Sequence, residues 1–289
     1  MRFAITHTLA YTYSRPVFLE PLTVRLRPRC DSWQRLHHFR LQVDPPPAGL
    51  SECIDLDGNA TASVWFTGLH HYLTVTATAE VETLRANPFD YVLAATAVTL
   101  PFAYAEAQRA VLAPYCQPLA PAAAVADFAR AVLHEVGGAT VAFLSTLARR
   151  IAEHCTQVVR PRGEPWPAAQ TLAQRRGACR DLAVLFLEAC RAVGLAARFV
   201  SGYHEGEVPP KEHQLHAWAE VYLPGAGWRG YDPSLGLAVA DRHVALAAGR
   251  TPQDAAPLTG TFRGTGATSS LQATIRLQVA GAEVSAPPT

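Results

Sequence analysis

Three residues of this chain, Cys179, His216 and Asp232, are of the types that catalysis by an activated thiol requires. Cys179 stands in "RRGACRDLAVLF", directly after a Gly-Ala pair and before an apolar run over residues 182–193 that predicts a buried helix. The thiol would then lie at the amino-terminal end of that helix. Unpaired N–H groups and the helix macrodipole favour an anion there, so the position suits a thiolate.

A base and an acid for this thiol follow in "HAWAEVYLPGAGWRGYDPSLG". The residues alternate from His216 onward as in a strand, and prolines and glycines interrupt the pattern before a second strand. A hairpin with a five-residue loop, 223–227, would set Tyr222 opposite Trp228 and place Asp232 diagonal to His216. The carboxylate could then accept from one imidazole nitrogen and leave the other nitrogen for the thiol.

Each of these residues also has a structural explanation when it is taken singly. A histidine in a strand is usually a satisfied polar residue, and an aspartate before proline usually ends a strand or forms a turn. Cys190 lies eleven residues after Cys179 on nearly the same helical face, roughly 16 Å along the axis, so one unbroken helix excludes a disulfide between them. We interpret Cys190 as core. The combination of Cys179, His216 and Asp232 favours a catalytic site.

The elements that must position these residues are indicated by the hydrophobic period. Alternation from Phe3 to about Thr83 predicts an antiparallel β domain over residues 1–90. Helical spacing then predicts two helices around 121–136 and 141–151, followed by a loop with proline and glycine. In the helix after Cys179, Arg180, Glu188 and Arg191 share one narrow stripe, and the rest of that helix is predicted to be buried. Residues 91–289 are predicted to form the second domain.

The composition restricts the possible partners and the compartment. Twenty-five Lys and Arg residues balance 24 Asp and Glu residues, which argues against binding to nucleic acid or to a membrane surface. The first residues contain no continuous apolar segment, so we expect a cytoplasmic protein. Six scattered cysteines suit a reducing compartment, and the lack of C-x-x-C spacing gives no reason to expect a metal or another cofactor.

The motifs "RRGACRDLAVLFLEACRAVGLAARFVSGY", "HAWAEVYLPGAGWRGYDPS" and the later "FRG" resemble the transglutaminase-like superfamily, in particular its bacterial cysteine peptidases. The early stretches "YTYSRPV", "VRLRPR" and "DLDGNA" are similar to the β domain that precedes the catalytic core there. The resemblance implies an α+β fold in which a central helix bearing Cys179 packs on an antiparallel sheet. It also implies the roles of nucleophile, general base and orienting acid for Cys179, His216 and Asp232. Residues 251–254, Thr-Pro-Gln-Asp, depart from the Asp-Tyr-containing stretch that is common in relatives.

The function expected from these residues is thiol-dependent acyl transfer on an amide of a peptide or protein substrate. The sequence has no acidic cluster that suggests a calcium switch, so hydrolysis of a peptide or isopeptide bond is favoured over transfer to an amine. A non-catalytic binding module with the same fold is the rival hypothesis. The backbone N–H of Cys179 is the expected first donor to the oxyanion, and Gln174 and Trp166 are weaker candidates for the second.

Overall fold

The computed structural model describes residues 1–160, 163–206 and 214–279. Its amino-terminal part is antiparallel β structure, as the alternation predicts, and Phe3, Ile5 and Leu9 point into the core between more exposed neighbours. The strands of this part are β1 (Arg2–Leu19), β2 (Leu22–Val24), β3 (Gln34–Asp44), β4 (Gly49–Ile54), β5 (Ala60–Trp65) and β6 (His70–Thr83).

A helical segment follows, and then strands return. The helices are α1 (Glu106–Cys116), α2 (Ala123–Glu135), α3 (Thr140–His154), α4 (Ala168–Gln174) and α5 (Cys179–Ala192), preceded by a 3-10 turn (Ala95–Ala97). The strands are β7 (Thr156–Gln157), β8 (Arg176–Gly177), β9 (Ala197–His204), β10 (His216–Leu223), β11 (Gly227–Asp232), β12 (Leu237–Ala238), β13 (His243–Gly249), β14 (Leu258–Thr259), β15 (Phe262–Arg263) and β16 (Ser269–Val279). Helices α2 and α3 confirm the two that the periodicity predicts. The sequence analysis missed α1, which contains Pro114, and α4, which begins directly after Pro167.

The central helix α5 packs on an antiparallel sheet with the strand order β12-β11-β10-β9-β13. Small side chains of β10, such as Ala217 and Ala219, face this helix and allow a close approach. The α+β class and the arrangement of a cysteine-bearing helix on an antiparallel sheet are therefore confirmed.

The carboxyl-terminal strands return to the amino-terminal region. Strand β16 pairs antiparallel with β1 over eleven positions, from Phe3 opposite Val279 to Tyr13 opposite Ser269. Strands β14 and β15 likewise pair with β2 and β1. The boundary at residue 90 stays a prediction, but the sheet of the first residues is completed by residues from the other end of the chain.

Two residues of the polar stripe of α5, Glu188 and Arg191, are buried, which the sequence analysis did not predict, whereas Arg180 is partly accessible. Glu188 accepts hydrogen bonds from the backbone N–H groups of Leu119 and Ala120, at 2.9 to 3.2 Å. The guanidinium of Arg191 donates to carbonyl oxygens, including that of Ala197 at 2.8 Å. These two side chains therefore join α5 to neighbouring loops instead of facing solvent, and their hydrogen bonds offset the cost of burying charge. The helix ends as predicted, because Gly194 adopts a positive φ of 86°.

Candidate active site

Cys179 is the first residue of α5, as predicted, and its side chain is partly accessible. Its Sγ lies 3.9 Å from the carbonyl oxygen of Leu215, the residue before His216. Cys190 is completely buried, and burial raises the pKa of its thiol well above the usual range. The two cysteines of this helix thus have the different environments that the sequence predicts, and Cys190 is core.

The start of α5 is fixed by Asp181. Its carboxylate accepts from the backbone N–H of Ala178 at 2.7 Å and from that of Trp166 at 2.8 Å, and it forms a two-oxygen ion pair with Arg160. A side chain at Gly177 would come within 2.8 Å of the Asp181 Cβ, so the glycine makes room for this contact. The Gly-Ala pair before the cysteine therefore lets the acidic side chain fold back and hold the helix terminus.

The hairpin that carries the other two residues has the predicted register. Tyr222 pairs with Trp228 as predicted, so β10 and β11 bring His216 and Asp232 together. Leu223 also pairs with Gly227, so the loop is residues 224–226 and is shorter than the predicted 223–227. His216 Nε2 lies 2.6 Å from Asp232 Oδ2, which is the length of a short, charge-assisted hydrogen bond. Nδ1 of the imidazole is left for the thiol, and a hydrogen bond between His216 and Cys179 contributes to the electrostatics of the ring.

Asp232 is fully buried and accepts hydrogen bonds at both oxygens. Oδ1 receives the backbone N–H groups of Ser234 and Leu235, at 2.9 and 3.3 Å, and the Ser234 hydroxyl at 2.5 Å. Oδ2 lies 2.6 Å from His216 Nε2 and 3.1 Å from His243 Nε2. The carboxylate therefore cannot rotate without losing several bonds at once, and it fixes the plane and distance of the imidazole.

His243 is a residue of this site that the sequence analysis missed. It lies on β13, is 5 % exposed, and packs edge-on against Trp218 at 5.3 Å and beside His204 at 4.5 Å between ring centroids. The alternation in "HVALAAG" is a signal for a strand that begins with this histidine. No spacing rule connects that strand to Asp232, because β13 joins the sheet on the far side of β9.

The charges of the site follow from these contacts. Burial alone would lower the pKa of His216, but the charge and hydrogen bond of Asp232 outweigh it and raise this pKa to about 10. The Asp232 pKa is held far below its usual range, since the neighbouring imidazole and its hydrogen bonds outweigh desolvation. Burial lowers the pKa of His243, and it lowers that of His204 to about 4, so both rings are neutral at pH 7. The arrangement favours one imidazolium, His216, beside one carboxylate.

His216, Asp232 and His243 are also residue types that bind metal ions, and their donor atoms lie within 4.8 Å of one another. The contacts between them have hydrogen-bond lengths, and both histidines share the same Oδ2. A metal would have to replace these bonds. The expectation that the chain needs no metal stays a prediction.

A cavity of about 870 Å³ opens at Cys179 and His216. Most of its lining residues lie at the helix start, on β9 and β10, on β1 and β16, and in the segment 252–262. Trp166 and Gln174, the two weaker oxyanion candidates, are not among the described residues that line this cavity. The indole of Trp166 instead stacks under the Arg160 guanidinium at 4.2 Å. The geometry thus gives no support to either as the second donor.

Comparison with known families agrees with this architecture. Residues 3–82 match the bacterial transglutaminase-like N-terminal region, and residues 127–233 match the transglutaminase-like superfamily. The second match contains all three candidate residues. An uncharacterized protein of Mycobacterium leprae is 28% identical over 294 residues, which cover 92% of this chain and 95% of that protein.

Two further similarities concern the fold and the core. A crystal structure named "Putative Cysteine Protease from Cytophaga hutchinsonii" has a TM-score of 0.71 at 20% identity, and covers 96% of this chain and 90% of its own. A protein-glutamine gamma-glutamyltransferase of Pseudomonas aeruginosa is 37% identical over 71 residues, which are 22% of this chain and 11% of that protein.

The fold and the site define a protein with a cysteine-protease-like core of the transglutaminase type. The chain carries a transglutaminase-like superfamily domain over residues 127–233 and, before it, the bacterial transglutaminase-like N-terminal region over residues 3–82. In the described part of the chain, no helix is both long and apolar enough to cross a membrane.

Proposed function

We propose that this protein is a thiol-dependent amide hydrolase that cleaves a peptide or isopeptide bond of a peptide or protein substrate. The observation that carries the proposal is the 2.6 Å hydrogen bond from His216 to the buried, multiply bonded Asp232, beside a partly accessible Cys179 at a helix start. This combination serves activation of a thiol and has little value for a surface that only binds. The cytoplasmic location also remains a proposal.

The chemistry assigns one task to each residue. The Cys179 thiolate attacks the amide carbonyl carbon, and the backbone N–H at the helix start faces the oxygen that becomes negative. The His216 imidazolium gives its proton to the nitrogen as the C–N bond breaks and the amine leaves. His216 then takes a proton from water, which attacks the thioester, and the C–S bond breaks to release a carboxylic acid and restore the Cys179 thiolate beside the His216 imidazolium. Asp232 stays ionised throughout and holds the imidazole.

Transfer to an amine is the second candidate function, because of the matched segment in the gamma-glutamyltransferase. Hydrolysis and transfer share the acyl-enzyme and differ only in the acceptor. The experiment therefore offers both acceptors, water and an amine, at once.

A peptide mixture digested in water labelled with heavy oxygen, with a primary amine added, distinguishes the candidates. Hydrolysis inserts one heavy oxygen at each new carboxyl group, and transfer inserts the amine instead, as mass spectrometry would show. We expect heavy-oxygen products that require Cys179, with Cys179→Ala as the inactive control and Cys190→Ala as the active one. Amine-labelled products in excess would assign the protein to transfer, and no Cys179-dependent product in any mixture would favour a binding module.

A further inference from the structure

The cavity beside Cys179 has a continuous wall made by two paired strands. Alternate residues of β1 from His7 to Tyr13 and alternate residues of β16 from Ser269 to Ile275 line it. These are direct cross-strand partners, with Leu9 opposite Ala273 and Tyr11 opposite Leu271. The wall is therefore one face of the amino-terminal sheet turned toward the nucleophile.

The wall is apolar and uncharged. Its side chains are leucine, isoleucine, tyrosine and small residues, and His7 is the one titratable base among the described residues on it. Burial lowers the pKa of His7 to about 4, and its Nδ1 is 3.0 Å from the Tyr203 hydroxyl, so the ring is neutral at pH 7. The charged residues that line the rest of the cavity are Arg160, Glu164 and Arg180. The wall has no group to pair with a charged side chain, and it would favour an apolar one.

The half of a substrate that this cavity suits is the acyl half. The acyl group stays bonded to Sγ through both chemical steps, whereas the amine must depart before water can attack. An extended cavity that opens at Sγ can hold the covalently attached half without delaying release of the other half. Leu271 remains 39% exposed on this wall, so apolar surface is available for a ligand to cover.

We propose that the face of β1 and β16 is the binding site for an apolar acyl group of the substrate, which makes the amino-terminal sheet a specificity element for Cys179. This proposal rests on the proposed function, because it needs acylation of that cysteine. It adds a substrate class, acyl groups with an extended aliphatic or aromatic side chain adjacent to the reacting carbonyl.

The test measures acylation by p-nitrophenyl esters, which need no natural substrate. The thiolate displaces p-nitrophenolate from the carbonyl carbon and forms the thioester, and the burst of nitrophenolate gives the rate. Acetyl and hexanoyl esters are compared, and each rate is divided by the rate of the same ester with N-acetylcysteine to remove intrinsic reactivity. We expect the normalised hexanoyl rate to be at least about tenfold the acetyl rate.

Two variants of neighbouring residues locate the preference. Leu271→Asp places a carboxylate on the wall and is expected to bring the hexanoyl-to-acetyl ratio close to one. Gln272→Asp is the matched control, since Gln272 is exposed and points to the opposite face of the same strand. It is expected to keep the wild-type ratio.

The outcomes separate this proposal from the proposed function. A wild-type ratio near one, as would also follow if a second copy of the chain covered the wall, overturns the acyl site and leaves the thiol chemistry standing. An equal loss of preference in Leu271→Asp and Gln272→Asp overturns it as well. If not even the acetyl ester gives a burst that Cys179→Ala removes, the proposed function itself fails.

Discussion

Asp232→Asn is the substitution that tests the geometry of the site most directly. Oδ1 of Asp232 accepts hydrogen bonds from the backbone N–H groups of Ser234 and Leu235. The direction of these donors is fixed by the main chain. An asparagine must therefore keep its oxygen on that side and turn its NH₂ group toward His216. Because two donors cannot share a hydrogen bond, the ring must present a bare Nε2 and carry its proton on Nδ1. That tautomer cannot accept the proton of the Cys179 thiol.

The expected loss is large in activity and moderate in stability. Fixing the wrong tautomer is expected to reduce turnover about 1,000- to 10,000-fold, which corresponds to about 4 to 5.5 kcal/mol of transition-state stabilisation. Loss of the charge-assisted hydrogen bond should lower the free energy of unfolding by about 1 to 3 kcal/mol. The pKa of His216 should fall steeply in the variant, because the carboxylate is what raises it to about 10 against the effect of burial.

The assay is the rate of Cys179 alkylation by iodoacetamide as a function of pH. In Asp232→Asn the rise in rate should move to higher pH, since the imidazolium that favours the thiolate is no longer stabilised. Stability gives a second readout. Because the pKa of His216 is about 10 in the folded protein and 6.5 in the unfolded chain, its protonation stabilises the fold fully below pH 6.5. Wild type should lose this stabilisation as the pH rises through about 10, and Asp232→Asn should not show that loss. Asp57→Asn, a half-buried carboxyl that does not line the cavity, is the control. An unchanged alkylation profile in Asp232→Asn would refute the reasoning.

Three further predictions concern neighbouring groups. Cys179→Ala should fold normally and lose all activity. Cys190→Ala should lower the free energy of unfolding by about 1 kcal/mol, and with it the melting temperature, but keep its turnover per folded molecule. Loss of turnover in well-folded Cys190→Ala would contradict the assignment of Cys190 to the core. His243→Leu removes a hydrogen-bond donor from Asp232 and should shift the pH profile of Cys179 alkylation. His243→Gln can still donate and should restore the wild-type profile. Equal profiles in the two variants would make His243 a packing residue only. His7 stays neutral in the folded protein down to its pKa of about 4, whereas in the unfolded chain it gains a proton below about pH 6.5. Wild type should therefore lose up to about 3 kcal/mol of stability between these two pH values in acid denaturation, and His7→Phe should not. Parallel curves would exclude His7 as the cause.

The parts of the fold and site that the sequence predicts are those encoded by local patterns. The helix start at Cys179, the glycine stop at Gly194 and the hairpin register that joins His216 to Asp232 all depend on residues within a few positions of one another. The period of two in the first strand also predicts its buried face. Hydrophobic period, turn residues and strand alternation act over short distances, so a single sequence is enough to read them.

The parts that the sequence does not reveal depend on contacts between distant segments. His243 reaches Asp232 because β13 pairs with β9, and nothing in the spacing of 232 and 243 indicates it. The buried Glu188 and Arg191 resemble a solvated stripe because most of their partners are backbone groups far away in the sequence, at residues 117, 119, 120 and 250. The pairing of β16 with β1 joins opposite ends of the chain, and alternation marks a strand without marking its neighbour.

Contacts between distant segments also link the amino-terminal sheet to the strands that carry the histidines of the site. Tyr203 on β9 and Val244 on the adjacent strand β13 pack into the core of the amino-terminal region. Tyr203 directly precedes His204, and Val244 directly follows His243. Tyr203 also bonds His7, which lies on the cavity wall. A change that loosens this sheet should therefore reach Asp232 through β9 and β13, on the side of His243, before it reaches Cys179. The helix of Cys179 packs in a different cluster, which Phe199 of β9 and Ala247 of β13 share. Substitutions in the amino-terminal core should therefore alter the orientation of the His216 imidazole and the wall formed by β1 and β16 before they alter the position of Cys179.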